Sequence, residues 1–105
     1  MKDQNISYSK DGFTNLLDNR EHELIITSGL INLLDNQEFK KKLDNIIVNY
    51  FNCDWQLSNE DKEINFQALS RGGNVFSSYQ INGLTINILT DRGWNQTTVM
   101  LSDEN

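Results

Sequence analysis

Few side chains in this 105-residue chain are equipped for chemistry, and they fall mostly in one stretch. Asp54, Glu60, Asp61 and Glu63 lie close together in sequence. Asp54 with Asp61 is the pairing that general acid–base catalysis would use, but nothing nearby would position a substrate between them. The cluster also lacks the alternating oxygen ligands and the glycine of an EF-hand loop. Glu60 and Glu63 are better explained as charges on the first turn of a helix, where they complement its positive end. The single histidine, His22, stands among Arg20, Glu21 and Glu23 and reads as an exposed residue rather than a base. Cys53, the single cysteine, has no cation beside it and falls at a helix C-terminus, which disfavours a thiolate, so it reads as a small buried group. Gly72-Gly73 follow a helical stretch and precede a strand-like one, the reverse of a phosphate-binding loop. No nucleophile–base pair, metal cluster or cofactor loop emerges, so the expectation is a protein that is not an enzyme, with no catalytic residue, metal or cofactor.

The second conspicuous group is Asp91-Arg92-Gly93-Trp94. An exposed loop carrying Arg and Trp has the composition of an interface hot spot. The same four residues also suit a β-turn in which Arg92 stacks on Trp94 or pairs locally. Trp55 poses a similar choice between a lid over the core and a partner anchor.

The elements that must position these residues follow from periodicity. Glu23–Thr27 is a short β-rich run ended by Ser28-Gly29. Leu30–Leu34 suits one helical turn, and Asp35 with Glu38 has the spacing of a capping box. From Gln37 to Phe51 the apolar positions Phe39, Leu43, Ile46, Ile47 and Tyr50 recur at helical spacing. Lys40, Lys41 and Lys42 fall mostly off that face and read as a solvated surface, helped by Glu38 one turn before Lys42. Ser58 caps a second helix that Arg71-Gly72-Gly73 ends, with Ile64 and Leu69 as its apolar contacts. Asn82-Gly83 is a two-residue hairpin signal. It sets Ile81 opposite Leu84, Tyr79 opposite Ile86, Ser77 opposite Ile88 and Val75 opposite Thr90, all on one largely apolar face. The reverse face, with Phe76, Ser78, Gln80, Thr85, Asn87 and Leu89, is mostly polar and should be wet. Thr97–Leu101 should return as a third strand. The expected fold is α+β in the order β-α-α-β-β-β: a small antiparallel sheet, hairpin plus third strand, with two helices on one face. The Leu24 strand is a candidate to extend that three-stranded sheet. Residues 1–20 are expected to be an N-terminal arm or edge element, and residues 21–105 a single domain.

Fifteen acidic against nine basic residues leave a net charge of −6. A phosphate-binding surface wants clustered Lys and Arg, so direct nucleic-acid binding is not expected. No apolar run suits a membrane span or a signal peptide. A lone thiol fits a reducing compartment, and the expected location is the cytoplasm.

Asp54-Trp55, Glu60-Asp61-Lys62, Asn65, Ala68-Leu69, Gly72-Gly73, Ser77-Ser78-Tyr79 and Thr97–Leu101 together resemble a group of small uncharacterised bacterial proteins carried on plasmids and prophages. The resemblance runs from about Ile25 to Glu104. This chain departs from that pattern at Cys53 and Gln56, where the pattern has glycines, in the Asp91–Trp94 loop, and at Ser102 and Asn105. The resemblance implies context rather than chemistry: small acidic proteins of mobile elements often blunt host defence, as anti-CRISPR and antirestriction proteins do. The expected function is therefore a non-catalytic inhibitor of a host nuclease or guide-RNA–nuclease complex, blocking nucleic-acid loading or cleavage. Its expected partner-binding residues are Asp54, Glu60, Asp61, Glu63, Arg92 and Trp94, with the acids facing a basic groove and Trp94 as anchor. The alternative is a small homodimerising accessory protein of a mobile element, pairing through the Thr97–Leu101 strand as a sheet edge.

Overall fold

A computed structural model describes residues 22–104. The expected arm over residues 1–20 lies outside them. The chain runs β1 (Glu23–Ile26), α1 (Ser28–Ile31), α2 (Gln37–Phe51), α3 (Asn59–Arg71), β2 (Val75–Ile81), β3 (Leu84–Thr90) and β4 (Gln96–Leu101), then a short 3₁₀ turn over Ser102–Glu104. The class is α+β, as the pattern predicts.

The hairpin forms in the expected register, from Ile81 opposite Leu84 to Val75 opposite Thr90. Its turn places Asn82 at φ 51° and Gly83 at φ 84°. Both angles are positive, as the tight hairpin turn that matches strand twist requires. Register then follows from alternation: Val75, Ser77, Tyr79 and Ile81 are buried with Ile86, Ile88 and Thr90. The reverse face is less wet than expected, because Asn87 is buried and accepts a hydrogen bond from Ser78.

The sheet differs from the expected three-stranded antiparallel meander. It has four strands in the order β1-β4-β3-β2, and β1 joins β4 in parallel. A mixed sheet results, and β4 lies inside it, between β1 and β3. This removes Thr97–Leu101 as an edge for dimer formation: both sides of β4 are already hydrogen-bonded. The sheet's edges are β1 and β2. At the β2 edge, Asn65 from α3 donates to the Phe76 carbonyl at 2.7 Å and accepts from the Phe76 N–H at 3.2 Å. One amide side chain thus replaces a neighbouring strand at that position and blunts the edge.

Three helices are present rather than two: the single helical turn expected over Leu30–Leu34 forms earlier, at Ser28–Ile31. The cap of α2 is Asn36, not Asp35: the Asn36 side chain accepts from the Phe39 N–H at 3.0 Å. Asp35 belongs to the preceding turn, so Glu38 cannot complete a capping box and instead lies 4.0 Å from Lys42. Lys40 pairs with Asp44 at 3.1 Å and Lys42 also donates to Asn82, so two of the three lysines are engaged locally. α3 begins at Ser58, whose hydroxyl accepts from the Asp61 N–H, and stops at Gly72, at φ 71°. A left-handed C-cap of this kind suits glycine because no Cβ collides with the preceding turn.

The core gathers Leu30, Phe39, Leu43, Tyr50, Phe51, Trp55, Leu69, the inner residues of the hairpin and Val99. Trp55 is 2% exposed, and its indole N–H donates to the Tyr50 carbonyl at the end of α2. It is the core lid rather than an anchor for a partner. Ile64, expected to pack inward with Leu69, is instead 61% exposed. Asn65 takes the inward position beside it because its amide is needed at Phe76.

Candidate functional site

The six expected partner-binding residues do not form one surface. Asp54, Glu60, Asp61 and Glu63 are all exposed, at the loop leading into α3 and on its first turns, and among the described residues none forms an ion pair. The Ser58 cap fixes the direction in which that helix starts. Asp54 is held from behind, where the Tyr79 hydroxyl donates to its carbonyl at 3.0 Å. Asp61 borders a shallow depression of about 190 Å³ with Leu57, Ile64, Asn65 and Phe76. Ile64 and Phe76 are exposed on its walls, so Asp61 borders an apolar patch.

Arg92 lies toward the other end of α3. It lines a groove of about 410 Å³ with Ile64, Gln67, Ala68, Arg71 and Gly73. Ile64 borders both depressions, so the outer side of α3 passes from acidic through apolar to basic.

Trp94 corrects the expectation of an exposed anchor. It is 7% exposed, and its indole N–H donates to the Gly73 carbonyl at 2.9 Å. The loop turns the ring inward by placing both Gly93 (φ 87°) and Trp94 (φ 58°) in the left-handed region. Arg92 does not stack on it among the described ring contacts and is exposed.

His22, expected to be exposed, is instead half-buried with both ring nitrogens bonded. Its Nδ1 lies 2.6 Å from the Trp94 carbonyl and its Nε2 lies 2.8 Å from the Thr97 hydroxyl. The ring meets Phe51 edge-on, with centroids 6.2 Å apart. From Thr97 the chain continues to Thr90 at 2.7 Å, to Tyr50 at 2.8 Å and to the Val75 carbonyl at 2.9 Å. Five contacts thus run between two carbonyls that can only accept. The imidazole, two threonine hydroxyls and a tyrosine hydroxyl supply the protons for them. Its partners lie 72 and 75 residues away, and no local pattern points to them. The chain ties α2 to β2, β3, β4 and the approach to β1, so its geometry is that of a structural clasp.

Cys53 sits just past α2 at φ 65°, partly buried. Burial pushes its thiol up to about 12. At pH 8 only roughly one thiol in ten thousand is then ionised. Iodoacetamide at pH 8 is therefore expected to label Cys53 at least about tenfold more slowly in the folded protein than in urea. Equal rates, followed by mass spectrometry, would remove the buried, neutral thiol from this description. Tyr50 and Tyr79 are likewise displaced upward by burial, so both hydroxyls stay protonated as donors at physiological pH.

Among the described residues no three of His, Cys, Asp and Glu converge as a metal ion would need, and no helix is long and apolar enough to cross a membrane. No protein-family model, curated protein or solved structure matches this chain.

Proposed function

We propose that the protein is a non-catalytic inhibitor that binds a host-defence nuclease of bacteria, anti-CRISPR-like in action, and excludes the nucleic acid. One observation supports this reading above the others. Asp54, Glu60, Asp61 and Glu63 are all exposed, all on one end of α3 and its approach, and none is neutralised by an ion pair among the described residues. An acidic surface of this kind, in a chain of net charge −6, complements the basic groove in which a nuclease holds phosphates. The exposed apolar walls of the depression beside Asp61, formed by Ile64 and Phe76, offer the burial that charge alone does not supply. Charge would act mainly on the rate of association and on partner choice.

The test is a panel of CRISPR effector complexes and restriction endonucleases assayed for DNA cleavage with stoichiometric protein. Wild type is expected to block at least one member. The variant combining Asp54→Asn, Glu60→Gln, Asp61→Asn and Glu63→Gln is expected to associate roughly tenfold more slowly, with an inhibition that depends less on salt. All four positions are exposed, so the variant should fold normally. Inhibition unchanged by the four substitutions would remove the acidic surface from the mechanism, and a panel with no inhibited member would remove the nuclease.

A further inference from the structure

Arg71 and Arg92 are an anomaly in an acidic protein. They come from different elements, the last turn of α3 and the β3–β4 loop, yet line the same groove. Both are exposed, and among the described residues neither guanidinium forms an ion pair or hydrogen bond. No carboxylate lines the groove. The neighbouring Asp91 has its carboxylate 3.5 Å from the Gln96 amide instead.

Arg71 alone is accounted for by the negative end of α3. Arg92 is not, because the loop is held there by its backbone. The Gly93 N–H donates to the Gly72 carbonyl at 2.8 Å and the Trp94 indole donates to the Gly73 carbonyl at 2.9 Å. These bonds fasten the loop to the end of α3 and keep two like charges at one groove, a cost that an anion would offset.

We propose that this groove binds an acidic protein segment, with a side-chain carboxylate held between Arg71 and Arg92 and a neighbouring aliphatic side chain against Ile64 and Ala68. Guanidinium groups recognise planar carboxylates through paired N–H donors. Gln67, also on the wall, can hydrogen-bond a peptide backbone. The net charge of −6 decides between classes of anion. A long polyanion such as nucleic acid would meet the surrounding acidic surface, whereas a single carboxylate set beside an apolar residue would not. The groove is open, so a peptide can lie along it.

The probe is N-acetyl-Leu-Glu-amide, titrated into isotope-labelled protein and followed by NMR at the Ile64 methyls, the Gly73 amide and the Arg92 side-chain N–H. A dissociation constant of about millimolar is expected for so small a ligand. The Gln analogue, and the glutamate peptide on the double variant R71Q/R92Q, are each expected to bind at least about tenfold more weakly. Both arginines are exposed, and an unchanged thermal midpoint would verify that the variant folds. The proposal is overturned if the Gln analogue binds equally well or if the shifts avoid the groove. It is also overturned if inorganic phosphate or a short single-stranded oligonucleotide moves the same signals as strongly as the peptide. None of these readings involves a nuclease, so this groove and the inhibitor reading stand or fall separately.

Discussion

Replacing Trp94 by alanine is expected to destabilise the protein by about 3–5 kcal/mol, the range for removing a buried large aromatic side chain. Urea unfolding followed by circular dichroism would measure it. Small domains hold only about 5–15 kcal/mol in total, so such a variant would be marginal. The loss combines three effects: an empty space behind the β3–β4 loop, a Gly73 carbonyl without its indole donor, and an Arg92 loop fastened to α3 by one bond instead of two. Glycine at the same position should do better than alanine. Trp94 has φ 58°, a region that costs a residue with a Cβ about 1–2 kcal/mol and glycine almost nothing. Trp94→Gly should therefore be about 1 kcal/mol less destabilising than Trp94→Ala, reversing the usual order of the two. An anchor for a partner would behave differently: its removal would weaken binding and leave the urea midpoint in place. Stability unchanged in Trp94→Ala would contradict the buried position.

The contrast between Trp94 and the hairpin indicates what a sequence of this kind carries openly. Asn82-Gly83 dictates its turn through its own backbone, and the period-2 pattern then sets every pair from Ile81–Leu84 to Val75–Thr90. Ser58 and Gly72 are similarly local, each acting on a hydrogen bond or dihedral angle within one turn. Loop chemistry around Trp94 is just as legible, with Gly93 marking the bend. What the loop residues cannot reveal is that the carbonyls at the end of α3 wait behind them to receive the Gly93 N–H and the indole. The parallel entry of β1 beside β4 is hidden for the same reason. Glu23–Ile26 announces a strand but not its neighbour, and the pairing is made with Gln96–Val99 at the far end of the chain. His22 reads as exposed in the sequence because its partners, Trp94 and Thr97, come from that same distant region.

The candidate site divides along the same line. The exposure of Asp54, Glu60, Asp61 and Glu63 follows from a capped helix start, and the sequence displays it. The grouping of Arg92 with Arg71 depends on how the β3–β4 loop meets α3, and only the folded chain displays that. Asn65 is the intermediate case. Its helical spacing from Asp61 and Ala68 marks a common face, but its service to the Phe76 backbone requires knowing that β2 is an edge.

Tyr50 should show the largest effect of any α2 residue. Its ring is fully buried, so Tyr50→Ala is expected to cost about 3–5 kcal/mol through the space it leaves. Tyr50→Phe isolates the hydroxyl, and its expected cost is about 1–3 kcal/mol. The loss falls mainly on the Val75 carbonyl, which no longer receives the tyrosine proton at 2.9 Å. The rest of the line can adjust without a vacancy. Thr90 can turn its proton to Thr97, Thr97 to the imidazole, and His22 still donates to the Trp94 carbonyl. Those three contacts need three protons, which two threonine hydroxyls and one imidazole N–H supply. Thr90 is the hydroxyl that bridges Tyr50 to Thr97, so the cost of Thr90→Val should depend on whether the tyrosine hydroxyl is present. A double-mutant cycle by urea unfolding reads this directly. A coupling of about 0.5–3 kcal/mol between positions 50 and 90 is expected for members of one buried network. Additive costs within about 0.3 kcal/mol would mean that Tyr50 and Thr90 act on the core independently and that the hydroxyl line is no clasp.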